Sequence, residues 1–267
     1  MSAAAPRATV IMPAYAAEAT VREAAESVLA QTVGDLELIV VDDRSPLPVV
    51  EALAGVRDPR LRIVRRARNG GTAAARNTAL ARARAPVVCQ LDADDAWEPR
   101  FLEAMLGQLD DPAVALAYCN VTIVGHPDGQ TDYVGDPSIH PLDRFPRLAE
   151  ANPVPCPTAT IRTAAARAIG GYAGWLRSVE DWNLYMRLAA AGWRFSYLHE
   201  QLARYRWPEP ARGMSYDGRR MARWAILGLL DVAARHPRVA GPKREAWRRL
   251  RAYSATRGAT GPGPGGV

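Results

Sequence analysis

One stretch of the sequence decides the fold: residues 85–95 read APVVCQLDADD. Its apolar part is short and rich in Val, and it ends in acids, which is typical of a strand buried on both faces of a parallel sheet. Asp92, Asp94 and Asp95 follow this strand directly. Because ligands of open α/β sheets bind outside the carboxyl ends of the strands, these acids mark a candidate site.

Three more buried strands are predicted upstream of this stretch, and they cover residues 8–12, 36–41 and 61–64. Helical patterns lie between them near residues 46–55 and 72–84. This alternation predicts parallel strands joined by right-handed crossovers. We therefore expect an α/β fold with a Rossmann-like, mostly parallel sheet flanked by helices.

Local signals predict the remaining elements. Thr20 and Glu23 have the S/T-x-x-E spacing of a capping box, which would begin the first helix. The later elements are expected to be a helix over 97–109, strands over 114–119 and 121–124, a loop-rich region over 125–157, and helices over 161–169, 180–191, 214–236 and 243–254. The Gly- and Pro-rich residues 258–267 are expected to form a disordered tail.

The overall composition suits a soluble globular chain. It has 267 residues, of which 48% are hydrophobic and 23% charged, and no apolar run approaches the roughly 20 residues that cross a bilayer. Residues 1–6 lack the pattern of a signal peptide. The three cysteines are widely spaced, so we expect reduced thiols rather than a disulfide framework or a zinc site. These features favour a cytoplasmic protein.

Basic residues are concentrated near the C-terminus. Residues 203–257 contain 14 Lys and Arg against 4 Asp and Glu, whereas residues 1–202 contain 20 against 24. The two amphipathic helices expected in this segment would form a basic extension. Three interpretations stay open: it packs on the body, it contacts an anionic membrane surface at the inner face of the membrane, or it forms a homodimer contact. We expect no nucleic acid partner.

The acids after residue 91 have two interpretations. Carboxylates two positions apart, such as Asp92 and Asp94, can hold one Mg²⁺ or Mn²⁺ ion, with water and phosphate as the remaining ligands. Alternatively, the acids only satisfy the amides and dipole of a following helix. The acid pair at Asp42 and Asp43, after the second strand, favours the cation.

Two other segments are candidates for chemistry. A Gly-rich turn at Asn69 precedes a helix that contains Arg76, an arrangement that can bind a phosphate, although a capped helix with a solvated arginine is the alternative. Glu180 and Asp181 begin a later helix. They either cap that helix or supply a general base.

Six segments together resemble family 2 glycosyltransferases of the GT-A fold. Their order and spacing agree over about residues 8–206, and the segments are residues 10–15, 27–32, 37–45, 69–77, 91–95 and 180–187. The resemblance implies transfer of a sugar from a nucleotide-diphosphate-sugar to an acceptor hydroxyl, with inversion and with Mn²⁺ or Mg²⁺. The donor is expected to be a UDP-sugar and the acceptor a glycan or a lipid-linked molecule.

The resemblance also implies roles for individual residues. Asp181 is the expected catalytic base, with Glu180 beside it, and Asp94 is the expected metal ligand. The nucleotide-sugar would be bound by Pro13, Tyr15, Asp43, Asn69, Arg76, Asp92 and Asp95. Like-charge repulsion from Glu180 is expected to raise the pKa of Asp181.

The same resemblance divides the chain into functional parts. Residues 1–125 would form the nucleotide-sugar-binding half, 126–212 the acceptor and catalytic-base half, 213–257 the basic helical extension, and 258–267 the tail. Ala16 and Arg44 depart from the family pattern, which affects base and sugar recognition.

Other functions fit the sequence less well. A nucleotidyltransferase would need a Gly-rich N-terminal signature with a lysine, but the only lysine is Lys243. An aspartate-nucleophile phosphatase would need Thr where Ala96 stands. A non-catalytic module that binds nucleotide-sugars or polyanions is the remaining alternative.

Overall fold

The computed structural model describes residues 5–134, 136–207 and 218–255. The predicted tail, 258–267, and the predicted boundary between 212 and 213 lie outside these ranges. The strands are β1 (Ala8–Ala14), β2 (Leu36–Asp42), β3 (Leu61–Arg65), β4 (Val87–Gln90), β5 (Ala96–Trp97), β6 (Val114–Val124), β7 (Thr160–Arg162) and β8 (Arg194–Arg206). The helices are α1 (Val21–Leu29), α2 (Val49–Ala52), α3 (Thr72–Leu80), α4 (Phe101–Gly107), α5 (Arg147–Glu150), α6 (Thr163–Ala168), α7 (Glu180–Ala190), α8 (Gly218–Arg235) and α9 (Pro242–Ala255).

The eight strands form one sheet in the order β3-β2-β1-β4-β7-β6-β8-β5. The first four strands of this order are parallel, and β6 pairs with β8 in parallel. The other pairs, β4 with β7, β7 with β6, and β8 with β5, are antiparallel. The predicted α/β fold with a sheet flanked by helices is confirmed, and the sheet is mixed.

The central strands are buried on both faces, as their apolar sequences predict. Strand β3, which was also predicted to be buried, instead lies at the edge of the sheet and is only partly buried. All seven residues of β2 are buried, including Glu37, whose carboxylate accepts hydrogen bonds from Thr9 and Arg84. The two faces of the sheet pack against two apolar clusters, one of which includes α3, α7 and α8, and the other α1 and α4. Helices on both faces therefore explain why these strands have continuous apolar runs.

Three local predictions were wrong, and one strand was missed. Strand β8 was not predicted, and Ile161 lies in β7 rather than in a helix. The helix predicted from 97 begins at Phe101, because Ala96 and Trp97 pair with β8. The capping box is not formed: the Thr20 side chain makes no capping hydrogen bond, and Glu23 instead pairs with Arg204 and Arg206 of β8.

The cysteines and the strands between 114 and 124 agree with the sequence predictions. Cys89, Cys119 and Cys156 are free thiols, and the first two are buried. Strands are found at both segments predicted between 114 and 124, as one continuous β6. Among the described residues, no helix is long and apolar enough to cross a membrane.

Candidate functional site

The carboxyl ends of the parallel strands place the predicted residues along one edge of the sheet. Ala14 of β1 lies beside Asp42 of β2, and Ile11 lies beside Gln90 of β4. Tyr15, Asp43 and Asp92 therefore follow three neighbouring strands at the same edge. This is the position at which open α/β sheets bind ligands.

Asp43 fixes the Gly-rich turn that precedes α3. Its carboxylate accepts hydrogen bonds from the amides of Gly70 (3.1 Å) and Gly71 (2.7 Å) and forms an ion pair with Arg66. Gly71 has a φ of 82°, a conformation that favours glycine. The role of Asp43 in recognising the nucleotide base stays a prediction.

Asp42, the neighbour of Asp43 in the sequence, has a structural role. Its carboxylate accepts hydrogen bonds from the amides of Ser45 (2.7 Å) and Val49 (3.2 Å) and pairs with Arg65 at 2.7 Å. Burial raises the pKa of Asp42, but these hydrogen bonds and this cation more than offset it, so the pKa lies below its usual value. Asp42 therefore holds the loop after β2 as a carboxylate.

Three residues that are predicted to bind the nucleotide have side chains that are exposed or half-buried, so a ligand can contact them. Tyr15 has 54% of its surface exposed, Asn69 is exposed, and Pro13 is half-buried. Ala16 follows Tyr15 with a φ of 50°, which turns the chain sharply after β1. An exposed aromatic ring at a strand end can stack on a planar base.

The three acids after β4 have different surroundings. Asp94 is exposed, whereas Asp95 is buried and accepts a hydrogen bond from the Arg206 amide at 2.8 Å. Partial desolvation and the nearby Asp92 carboxylate raise the pKa of Asp94 to about 6. Arg206 also donates to the Asp94 carbonyl oxygen at 3.1 Å. Strand β8 thus holds the acidic loop in place.

Arg76 connects the acidic loop to α7. One terminal nitrogen of its guanidinium donates to Asp92 at 2.6 Å, and the other donates to Glu180 at 2.6 Å. Only 2% of the Arg76 side chain is exposed, and Cys156 Sγ lies 2.9 Å from it. The predicted contact between Arg76 and a phosphate stays a prediction, since both terminal nitrogens already donate to carboxylates here.

Glu180 and Asp181 lie at the start of α7 as predicted. Burial raises the pKa of Glu180 to about 7, against the lowering effect of Arg76, and Asp181 raises it further. The pKa of Asp181 is also raised, first by burial and then by Asp92. The raised pKa of Asp181 is therefore mainly a desolvation effect, and the like-charge repulsion that we expected from Glu180 is not its main cause.

The backbone conformation of Val179 and a hydrogen bond from Asn152 help to position Glu180 and Asp181. Val179, which precedes Glu180, has φ 55° and ψ 21°, a left-handed conformation that is strained for a β-branched residue. Asn152 donates a hydrogen bond to Asp181 Oδ2 at 3.3 Å. Strained backbone of this kind often occurs at functional sites.

Sequence reasoning missed several residues of the site. Asn152 and Cys156 lie in the loop-rich region and had no recognisable pattern. Arg65 and Arg66 did have a signal: a pair of arginines ends β3, beside the acid pair that ends β2. Neighbouring parallel strands bring such pairs together.

The donor atoms at this edge suit a hard cation. Asp92 and Asp94 offer carboxylate oxygens, and Oδ2 of the buried Asp95 has no hydrogen-bond partner among the described residues. The described part of the chain contains no group of three His, Cys, Asp or Glu side chains that could hold a metal ion alone. Mg²⁺ and Mn²⁺ commonly take one or two carboxylates and complete their shell with water and phosphate. The residues present fit that arrangement.

The fold and the site define an α/β domain of the GT-A type, with acids at the strand ends. Residues 9–169 match the model of glycosyl transferase family 2, and the chain belongs to that family. It is 32% identical over 222 residues to the pre-mycofactocin glycosyltransferase of Mycobacterium tuberculosis, which covers 78% of this chain and 44% of the relative. The chain thus spans less than half the length of that relative.

Two solved structures have a similar fold. The mannosyltransferase PcManGT of Pyrobaculum calidifontis, in complex with GDP-Man and Mn²⁺, has a TM-score of 0.70 at 22% identity and covers 97% of this chain and 77% of its own. Residues 1–349 of S. aureus TarS, in complex with UDP-GlcNAc, have a TM-score of 0.68 at 20% identity, with 93% and 71% covered.

Proposed function

We propose that this protein transfers a sugar from a nucleotide-diphosphate-sugar to an acceptor hydroxyl, with inversion at the anomeric carbon. The observation that carries the proposal is the double contact of Arg76, which joins Asp92 at a strand end to Glu180, the neighbour of Asp181. Through Arg76, Asp92, which is expected beside the donor, lies close to the segment that carries Asp181, the residue expected to activate the acceptor. An inverting transfer needs the donor-binding acids and the base on opposite sides of the reacting sugar.

Asp181 is the proposed general base. Inversion requires that the acceptor hydroxyl loses its proton as its oxygen attacks the sugar from the face opposite the leaving group. Burial raises the pKa of Asp181, which makes its carboxylate a stronger base than an exposed one. Asn152 and the start of α7 orient this carboxylate.

Asp94 is the proposed ligand of a divalent cation, Mn²⁺ or Mg²⁺. Such an ion, when bound, would stabilise the negative charge that develops on the diphosphate leaving group. Asp92 lies near the proposed ribose and sugar position, and Arg206 and Asp95 fix the loop that carries Asp94. The protein's contribution is a preorganised set of oxygen atoms at one sheet edge.

The nucleotide would occupy the surface between the ends of β1 and β2. Tyr15 and Pro13 are proposed to line the base, and Asp43 and Asn69 the base and ribose. We propose a UDP-sugar as the donor. Because the two similar structures contain different nucleotides, UDP-GlcNAc and GDP-Man, the fold alone does not select the base.

The acceptor is proposed to be a hydroxyl of a glycan or of a lipid-linked molecule. It would approach from the side of residues 126–157, because Asn152 of this region contacts Asp181. Variation in such a loop-rich region is a common way for one fold to accept different substrates.

Thermal unfolding with a panel of nucleotides tests the proposal. UDP, GDP, dTDP and CMP are each added with and without Mn²⁺, because a ligand that binds only the folded state raises the Tm. We expect UDP to raise the Tm only when Mn²⁺ is present. A shift with GDP or dTDP instead would show that the donor carries that base. No shift with any nucleotide would contradict the proposal and favour a non-catalytic module that binds polyanions.

A further inference from the structure

Helices α8 and α9 pack against α7, the helix that carries Asp181. The inward residues of α8, including Ile226, Leu229 and Val232, are buried. The Asn183 side chain of α7 donates to the Gly228 carbonyl oxygen of α8 at 3.1 Å. The Arg249 guanidinium of α9 lies 5.1 Å from the ring centre of Trp182 in α7. Helices α8 and α9 therefore form one packed unit with α7.

The outward face of α8 combines bulky apolar residues with arginine. Leu227 and Leu230 have 40% and 42% of their surfaces exposed. Arg223 and Ala234 are exposed as well. Positions 223, 227, 230 and 234 are separated by four, three and four residues, so they form one stripe along the helix. Large apolar side chains repeated along one exposed stripe are typical of a contact surface.

Helix α9 repeats this combination. Trp247 has 55% of its surface exposed, the largest fraction among the exposed tryptophan side chains that the structure describes. Arg244 and Arg251 are exposed three positions before it and four positions after it, on the same helix face. A tryptophan between arginines is typical of a surface that meets the boundary between water and lipid.

The charge of this helix pair is not balanced by the acids within the two helices. Residues 218–255 contain ten Lys and Arg against two Asp and Glu. Asp231 already pairs with Arg235, and Glu245 already pairs with Arg248 and Arg249. Within the described ranges, Arg219, Arg223, Arg238, Lys243, Arg244 and Arg251 form no ion pair. A partner that contacts the exposed basic residues of α8 and α9 should therefore be negatively charged.

We propose that α8 and α9 dock the protein on an anionic lipid bilayer. Leu227, Leu230 and Trp247 would enter the boundary between headgroups and acyl chains, and the arginines would contact lipid phosphates. A second copy of this chain is disfavoured because it would bring two strongly basic faces together. A nucleic acid would satisfy the arginines but would leave the leucines without an apolar partner.

The inference goes beyond the proposed reaction and does not depend on it. Because α7 packs directly on α8 and α9, docking would hold Asp181 at a fixed height above the bilayer. A lipid-linked acceptor would then need to diffuse only in the membrane plane to reach the base.

Vesicle sedimentation of the full chain tests the proposal. We expect the protein to sediment with vesicles of phosphatidylcholine and phosphatidylglycerol, weakly with phosphatidylcholine alone, and less at raised salt. The pair Leu227→Ser and Leu230→Ser and the triple Arg223→Gln, Arg244→Gln and Arg251→Gln should each weaken binding about tenfold or more.

The matched control is the pair Leu47→Ser and Val50→Ser, which removes exposed apolar side chains near α2 and should leave vesicle binding unchanged. An unaltered Tm for every variant shows that it is folded. Absence of wild-type binding to anionic vesicles overturns the proposal. So does equal binding by the control and the α8 pair, or a dimer that the α8 pair abolishes while vesicle binding is absent.

Discussion

Arg76 of α3 and Glu180 of α7 form a buried ion pair across 104 positions of the chain, with 2.6 Å between Nη1 and Oε1. The other terminal nitrogen of Arg76 donates to Asp92. One guanidinium thus spans the carboxylates of two distant segments. A planar group with a fixed fork of donors is suited to this position, whereas a single ammonium is not.

Replacement of Arg76 by Lys should therefore reduce both stability and transfer. One ammonium cannot keep both contacts, and a buried carboxylate left without its cation is costly. We expect a loss of about 3–5 kcal/mol in the free energy of unfolding and of about a hundredfold or more in kcat/KM. Urea unfolding and a sugar-transfer assay measure these two quantities.

Arg82→Lys is the control for Arg76→Lys. Arg82 follows α3 and is exposed, and among the contacts described its side chain donates only to the Thr78 carbonyl oxygen, so its replacement should change neither quantity. If Arg76→Lys weakened donor binding but kept full stability, Arg76 would be a phosphate ligand and not a link between α3 and α7.

Two aspartate variants should separate donor binding from turnover. Asp181→Asn removes the base but keeps the shape of the side chain, so we expect donor binding to stay within about twofold while kcat falls about 10²–10⁴-fold. Asp94→Ala should abolish the Mn²⁺-dependent part of donor binding. Calorimetric titration of UDP and a transfer assay measure these effects.

Asp110→Asn provides the comparison for these variants, because Asp110 is exposed after α4, away from the sheet edge that holds the acids. The Asp110→Asn variant should retain both donor binding and turnover. Full transfer by Asp181→Asn would show that another residue is the base.

The pH dependence of transfer should reflect Asp181. Because the base must be unprotonated and burial raises its pKa, kcat/KM should fall as the pH decreases through that raised pKa. Asn152 donates to the carboxylate and so favours its charged form. Asn152→Ala should therefore move the acid limb of the pH profile to higher pH, as measured by initial rates across a buffer series.

A limb that stays in place or moves to lower pH in Asn152→Ala would contradict this assignment. Gln130→Ala is the control, because Gln130 is exposed in the same loop-rich region and contacts Asp132 rather than Asp181.

Gly71 should tolerate no side chain. Its φ is 82°, and an added Cβ would lie 3.0 Å from Nη1 of Arg177. Gly71→Ala should therefore destabilise the protein by about 1–2 kcal/mol and weaken UDP binding, because the turn held by Asp43 would shift. Thermal unfolding with and without UDP and Mn²⁺ measures both effects.

Gly107 is a useful opposite case. It lies at the end of α4, with no atom within 4 Å of an added Cβ and without a positive φ. Gly107→Ala should stabilise the protein by about 0.5–1 kcal/mol. Equal effects of the two substitutions would contradict the role assigned to the Gly71 turn.

The sequence predicts well the strands that have continuous apolar runs, and it also locates β3, which lies at the edge of the sheet and is only partly buried. Strands β1, β2 and β4 have continuous apolar runs because helices cover them on two sides. Strand β8 escaped prediction because its residues alternate irregularly between buried and exposed, and its pairing with β6 contains shifts of register. Strand β7 has only three residues before an alanine-rich segment, so its pairing with two neighbours, and not its own sequence, makes it a strand.

The site was predicted only to the extent that each residue follows a strand or begins a helix. The acids after β2 and β4 and at the start of α7 could be found in this way. The partners of these acids could not, because Arg76 with Glu180 and Asn152 with Asp181 are contacts between distant segments. The capping box failed for the same reason, since Glu23 pairs with arginines of the unpredicted strand.

The packing of α8 against α7 also bears on local unfolding. If α8 separated from the body, Leu229 and Val232 would be exposed, and Asn183 of α7 would lose its bonds to Gly228 and Asp231. The amide hydrogens of α7 should then exchange with solvent in the same opening event as those of α8. Helix α7, which carries Asp181, would then be no more stable against local unfolding than helix α8, which covers it.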